Sequence, residues 1–174
     1  MPASSRPLSV AVLALALAMG GCGTSLVSWV PVVDGADTQT DHVVSRDGVV
    51  VSVEDFGVRD GWGKPAGELR VFNNGDRAVS YDLATTRLDV DGELMPPILD
   101  LRESSLVTLQ PGESHAAELV FDTTLPIQPR TDEGSQKMLV ITRELHLHLP
   151  ALRFGEQEAA LPVLIYRNPD PLER

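Results

Sequence analysis

From about residue 43 onward, apolar and polar positions alternate with a period of two in short runs. Val49, Val51 and Val53 share one face of such a run; so do Leu69 and Val71, then Val79, Tyr81 and Leu83, then Leu88 and Val90. Leu106 to Leu109 leads into Pro111-Gly112, and Ala117, Leu119 and Phe121 alternate beyond it. Leu139, Ile141, Leu145, Leu147 and Leu149 line one face of a longer segment that only Arg143 interrupts, and Leu161, Val163 and Ile165 close the set. Turn residues punctuate these runs at Asn73-Asn74-Gly75-Asp76, Asp91-Gly92 and Pro111-Gly112. No stretch keeps a 3.6-residue apolar stripe over three turns. The spacing predicts an all-β fold over residues 43–168, an antiparallel β-sandwich of seven or eight strands. Its inward positions include Val51, Val71, Leu88, Leu119, Phe121, Ile141, Leu145 and Val163. Residues 126–137 read as a long polar loop, and residues 169–174, entered through Asn168-Pro169, as a frayed tail.

Upstream the pattern changes. Arg6 and the amino terminus precede an apolar run of 12 residues, Leu8 to Met19, which ends in Gly20, Gly21 and Cys22. A helix needs about 20 apolar residues to cross a bilayer, so this run is too short to span. A charged start, an apolar middle and a small-residue exit make a secretory signal over residues 1–21. Residues 22–42 are rich in Gly, Thr, Ser and Asp and read as a tether. Within them the patch Trp29 to Val33 either passes along that tether or forms a first edge strand.

The sequence Met19-Gly20-Gly21-Cys22 resembles the lipobox of bacterial lipoproteins, with Met in place of the usual Leu. That resemblance implies diacylglycerol on the Cys22 thiol, cleavage before Cys22 and acylation of the new amino group by a fatty acid such as palmitate. It also implies attachment to a membrane outside the cytoplasm. Gly23 after the cysteine favours the outer membrane where the cell has one. The segments Glu68-Leu69-Arg70-Val71-Phe72-Asn73-Asn74-Gly75 and Leu109-Gln110-Pro111-Gly112-Glu113-Ser114 look like turn patterns of immunoglobulin-like domains in bacterial surface lipoproteins. The implied fold is an immunoglobulin-like sandwich without the cysteines of antibody domains, and the implied role is binding or assembly.

Composition narrows the partners. The chain of 174 residues carries a formal charge of −11, and losing the segment that holds Arg6 takes it to −12. Phosphate backbones and anionic lipid surfaces are bound by clustered Lys and Arg, so this acidity speaks against nucleic acid and against purely electrostatic membrane adhesion. Cys22 is the one cysteine, which rules out an intramolecular disulfide or a cysteine-based zinc site. The domain has to be held by packing.

Candidate chemistry is sparse. Glu144-Leu145-His146-Leu147-His148 puts two imidazoles on one face of a strand, about 6.6 Å apart. They are the best metal candidates, with Glu144 or Thr142 beside them and His42 and His115 elsewhere, although a metal site needs three or four converging ligands. The plainer reading is an outward face opposite Leu145 and Leu147. Ser114 and His115 are adjacent and face opposite ways, so they make no nucleophile–base pair. Asp89 with Asp91, and Glu156 with Glu158, read as acidic positions beside turns, and Asp132-Glu133-Gly134 lacks the spaced ligands of a calcium loop. Trp62, in Asp60-Gly61-Trp62-Gly63-Lys64, is a candidate recognition contact. These residues predict a non-enzymatic module without a cofactor, anchored through Cys22 and holding another cell-envelope protein. The alternative is a small-ligand or metal-binding lipoprotein that uses His146 and His148.

Overall fold

A computed structural model describes residues 27–38, 41–59, 64–99, 104–123, 125, 127–132 and 135–169. The chain enters through β1 (Val27–Ser28), β2 (Val30–Val33) and β3 (Ala36–Asp37), followed by β4 (His42–Arg46), β5 (Val49–Arg59) and β6 (Lys64–Asn73). Next come β7 (Val79–Asp82), a 3-10 turn at Leu83–Thr85, β8 (Arg87–Val90), β9 (Glu93–Met95) and β10 (Pro97–Ile98). Then β11 (Leu106–Leu109), β12 (Ser114–Phe121) and a hairpin of β13 (Ile127–Asp132) and β14 (Ser135–Val140). The chain closes with β15 (Glu144–His148), β16 (Leu152–Phe154), β17 (Gln157–Ala159) and β18 (Leu164–Arg167).

All strand pairs among the described residues are antiparallel. One sheet has the order β1-β5-β6-β12-β10, with β4 also on β5. A second runs β3-β2-β18-β15-β8-β9, and a third β11-β7-β16-β17. The second and third continue one another. β7 passes through the 3-10 turn into β8, β15 passes through Pro150 into β16, and each stays beside the same neighbour. The result is an all-β sandwich of two layers.

The inner faces meet in one core. Val49, Val51, Val53, Leu69, Val71, Leu119 and Phe121 of the first sheet pack with Leu88, Leu145, Leu147, Leu164 and Tyr166 of the second and with Val79, Tyr81 and Leu152 of the third. Of the eight inward positions expected from alternation, Val51, Val71, Leu88, Leu119, Phe121 and Leu145 are buried. Val163 is not: it is 44% exposed, while Leu164 and Tyr166 point inward. The last strand begins at Leu164, after Pro162, one residue out of phase with the expected face, and a slip of one residue exchanges every side chain between faces. Ile141 is half-buried, because the expected long segment breaks at residues 141–143. There the Thr142 carbonyl accepts the Asn168 side-chain amide at 3.0 Å and the Arg143 carbonyl accepts the Asn168 N–H at 2.8 Å.

Two other boundaries move. The stretch expected as a tether holds three strands: β2 pairs with β18 through Val30↔Arg167 and Val32↔Ile165, and β1 pairs with β5 through Val27↔Val58. Trp29 between them is buried, and its backbone N–H donates to the Phe56 carbonyl at 3.0 Å, so the sandwich begins by Val27 rather than at residue 43. The expected loop at 126–137 contains most of the β13–β14 hairpin, which runs from Ile127↔Val140 to Asp132↔Ser135. Its polar composition concealed a two-stranded ribbon in which Pro129 is tolerated, since each strand has a free edge.

One bulge sets the phase of β5. Asp55 is left-handed, with φ 49°, and the register shifts between Glu54 and Gly57. The extra residue changes the inward set from Val49, Val51 and Val53 to Phe56 and Val58. Gly67 lies opposite; a Cβ there would stand 2.9 Å from the Phe56 ring, so the bulge needs glycine across from it.

At the far end of β6, Asn73 ties together the two turn segments singled out from the sequence. Its buried side-chain amide donates to the carbonyls of Leu109 at 3.1 Å and Arg77 at 2.8 Å, and its Oδ1 accepts from the Gly75 N–H at 3.1 Å. Its backbone donates to Glu113 O at 2.9 Å and accepts from Gly112 N at 2.7 Å. Removing the amide strands buried carbonyls, so Asn73→Ala is expected to destabilise the domain by about 2–3 kcal/mol. The check is urea unfolding, with a lower midpoint and an unchanged slope; an unaltered midpoint would contradict this role.

Candidate functional site

Strand β15 lies between β18 and β8, with His146 opposite both Ile165 and Asp89 and His148 opposite Arg87. The alternation is as expected. Leu145 and Leu147 are fully buried, and His146 and His148 occupy the other face, half-buried. His146 Nε2 is 3.7 Å from Glu144 Oε2. The other oxygen of that carboxylate accepts from Arg167 Nε at 3.3 Å and Nη2 at 3.2 Å. Asp89, across from His146, accepts the Gly92 N–H at 2.8 Å and so serves the β8–β9 turn. His148 Nε2 is buried with no hydrogen-bond partner among the described residues.

The remaining histidines do not join this face. His42 Nε2 sits 2.8 Å from the Ile165 carbonyl; a carbonyl only accepts, so the proton is on Nε2. Its ring meets Tyr166 edge-on at 4.9 Å, and Tyr166 stacks on Phe56 at 4.3 Å. His115 Nδ1 is 2.8 Å from the Tyr81 hydroxyl, and Ser114 faces away into solvent. Burial raises the Tyr81 and Tyr166 phenols well above the ordinary tyrosine range, so both keep their protons. Among the described residues no group of three or more His, Cys, Asp or Glu side chains converges to hold a metal.

Carboxylates gather elsewhere. Glu54, Glu68 and Glu118 lie directly opposite one another on β5, β6 and β12, on the outer face of the first sheet. Neighbours in such a row have Cβ atoms about 4.5–5.5 Å apart, and like charges there repel. Arg70 offsets part of that repulsion, with Nε 2.9 Å from Glu68 Oε1 and 3.2 Å from Glu54 Oε2; the Glu68 hydrogen bond and then the Glu54 charge raise its pKa above the usual value. This row escaped the sequence reading. Each glutamate sits in a different strand, and only the register brings them together. Of the other acidic pairs, Glu158 accepts from Arg153 Nε at 3.3 Å, and Asp91 is left-handed in its turn, with φ 53°.

A cleft of about 380 Å³ runs beside β12, lined by Leu83, Leu99, Ser105, His115, Ala117 and Glu118 among others. It borders the part of β12 that the two-residue β10 does not cover, since β10 pairs only with Val120 and Phe121. Cys22 and Trp62 lie outside the described residues, as do Glu133 and Gly134. The strand ends that flank Trp62 are paired, Arg59 with Lys64.

Two half-buried imidazoles beside a carboxylate that already serves an arginine make a poor chelate. Titration of the protein with zinc or copper is expected to show no sub-micromolar site, by calorimetry or competition with a chelating dye. Tight binding that His146→Ala abolishes would overturn this and restore the metal-binding alternative.

No protein-family model, no curated protein and no solved structure matches the chain.

Proposed function

We propose that the chain is a lipid-anchored cell-envelope module that holds another envelope protein and performs no catalysis. The observation that carries this reading is the run Leu8 to Met19 ending in Gly20-Gly21-Cys22, with Cys22 the one cysteine of the chain. Lipid on that thiol makes an anchor. One acyl chain binds a bilayer marginally and two or three hold it stably, at about 0.8 kcal/mol per buried methylene.

The sandwich supports the binding half of the reading. The stretch of β12 before Val120, which no described strand pairs on the β10 side, borders a cleft whose walls include Leu83, Leu99 and Ala117, a surface suited to an extended segment of a partner. The link made by Asn73 between the two turn segments also supports an immunoglobulin-like lipoprotein domain, because both segments that carry that resemblance take part in it. Gly23 after the cysteine supports the outer membrane as the destination in a cell that has one.

The test is acylation of the full chain expressed in a bacterial host fed an alkyne-bearing palmitate. Wild-type protein is expected to take up the label, float with membranes and yield an N-terminal peptide carrying a lipid mass on Cys22. Cys22→Ser is expected to abolish labelling and leave an uncleaved or mis-cleaved precursor. An unmodified Cys22 thiol in a freely soluble mature protein would sink the reading and leave a plain secreted protein in its place.

A further inference from the structure

Strand β12 uses its two sides unequally. Asn73 lies opposite Glu113, one step beyond the Phe72↔Ser114 pair, and its N–H donates to the Glu113 carbonyl at 2.9 Å. Hydrogen-bonded and non-hydrogen-bonded pairs alternate along an antiparallel ladder. His115, Ala117 and Leu119 therefore bond to β6, whereas Ser114, Ala116 and Glu118 turn their N–H and C=O groups to the opposite edge. On that side β10 takes up Val120 and Phe121, and no described strand pairs beside Ala116. Natural sheets commonly guard such an edge with lysine or proline, and Ser114 to Leu119 contains neither.

A strand added at this edge continues both faces of the first sheet. Its inward side chains, beside Ala117, enter the cleft and meet Leu83 and Leu99, so they are apolar. Its outward side chains lie beside Ala116 and Glu118, which are both exposed. Glu118 ends the row of three glutamates, in which Arg70 contacts Glu68 and Glu54. A fourth carboxylate in that row adds to the repulsion, whereas a lysine or arginine faces Glu118 across about 4.5–5.5 Å between Cβ atoms. A carboxylate offers about four acceptor sites, so Glu118 can take such a cation alongside the contacts it already has. The chain as a whole carries −11, which favours the same sign of partner.

We infer that the open edge of β12 binds an extended segment of another protein, one that alternates apolar side chains with lysine or arginine, and adds it to the first sheet as a further strand. This inference rests on the binding role proposed above and gives the partner its chemistry.

The experiment uses the full chain in mild detergent and a short, end-blocked fluorescent peptide that alternates valine with lysine, read by anisotropy at near-physiological salt. Saturable binding is expected, weaker by about tenfold or more when glutamate replaces the lysines of the peptide. Ala116→Pro removes a donor from the open edge and leaves the β6 ladder and the net charge unchanged, so it should weaken binding by about tenfold or more while the urea midpoint is kept. Glu118→Lys touches only a side chain and should turn the preference toward the glutamate peptide. No binding overturns the inference. So does binding that a folded Ala116→Pro leaves intact, which is charge attraction without strand addition, and so does a charge preference unaltered by Glu118→Lys. Dimers of the chain that Ala116→Pro dissolves, with no peptide bound, assign the edge to a second copy and overturn it as well. The anchor is read separately, by the mass of the N-terminal peptide of the same protein: an unmodified Cys22 beside edge-dependent peptide binding overturns the anchor and leaves this inference standing.

Discussion

Everything in this fold depends on the packing of two inner sheet faces against one another, because no covalent link inside the domain can substitute for it. Leu69, Leu119 and Phe121 on one side and Leu88, Leu145, Leu147 and Tyr166 on the other are almost completely removed from solvent. Each layer presents an apolar side chain at every second position, and any element that loses that phase loses its place in the core. The bulge at Asp55 shows the constraint operating. It inserts one residue, brings Phe56 and Val58 inward and lets Phe56 stack on Tyr166, with glycine across at position 67 to leave room for the ring. The N-terminal strands follow from that arrangement, since Trp29 is buried in the same core and hydrogen-bonds the Phe56 carbonyl.

The central strands were legible in the sequence because each buries one face and exposes the other, and a period of two is the direct record of that. Leu119 and Phe121, or Leu145 and Leu147, could be assigned without any knowledge of their neighbours. What stayed hidden depends on pairing. Nothing local distinguishes Trp29-Val30-Pro31-Val32-Val33 in a tether from the same residues beside β18, and the burial of Trp29 and Val32 is a tertiary fact. Val163 was misassigned because Pro162 delays the strand by one residue. The β13–β14 hairpin was read as a loop because its rungs join residues as far apart as Ile127 and Val140, and no short window contains both. The row of Glu54, Glu68 and Glu118 was invisible for the same reason.

The two ends of the sandwich carry different elements. One end gathers Val27, the exit from β12, the base of the β13–β14 hairpin and Asn168. The other end carries the turns tied by Asn73, and the cleft beside β12 opens on the flank between them. The histidines of β15 face outward from the second layer, with Glu144 shared between His146 and Arg167.

The central claim is that the segment from Val27 to Val33, upstream of the expected domain start, is an integral part of the sandwich. Native-state amide hydrogen exchange tests this most directly, at Val32 in β2 and at Tyr166 in β18. If β2 is a strand of the core, protection at Val32 should match that at Tyr166 and approach the value set by global unfolding. Fast exchange at Val32 beside a slowly exchanging Tyr166 would show the segment to be a detachable tether and would contradict the account.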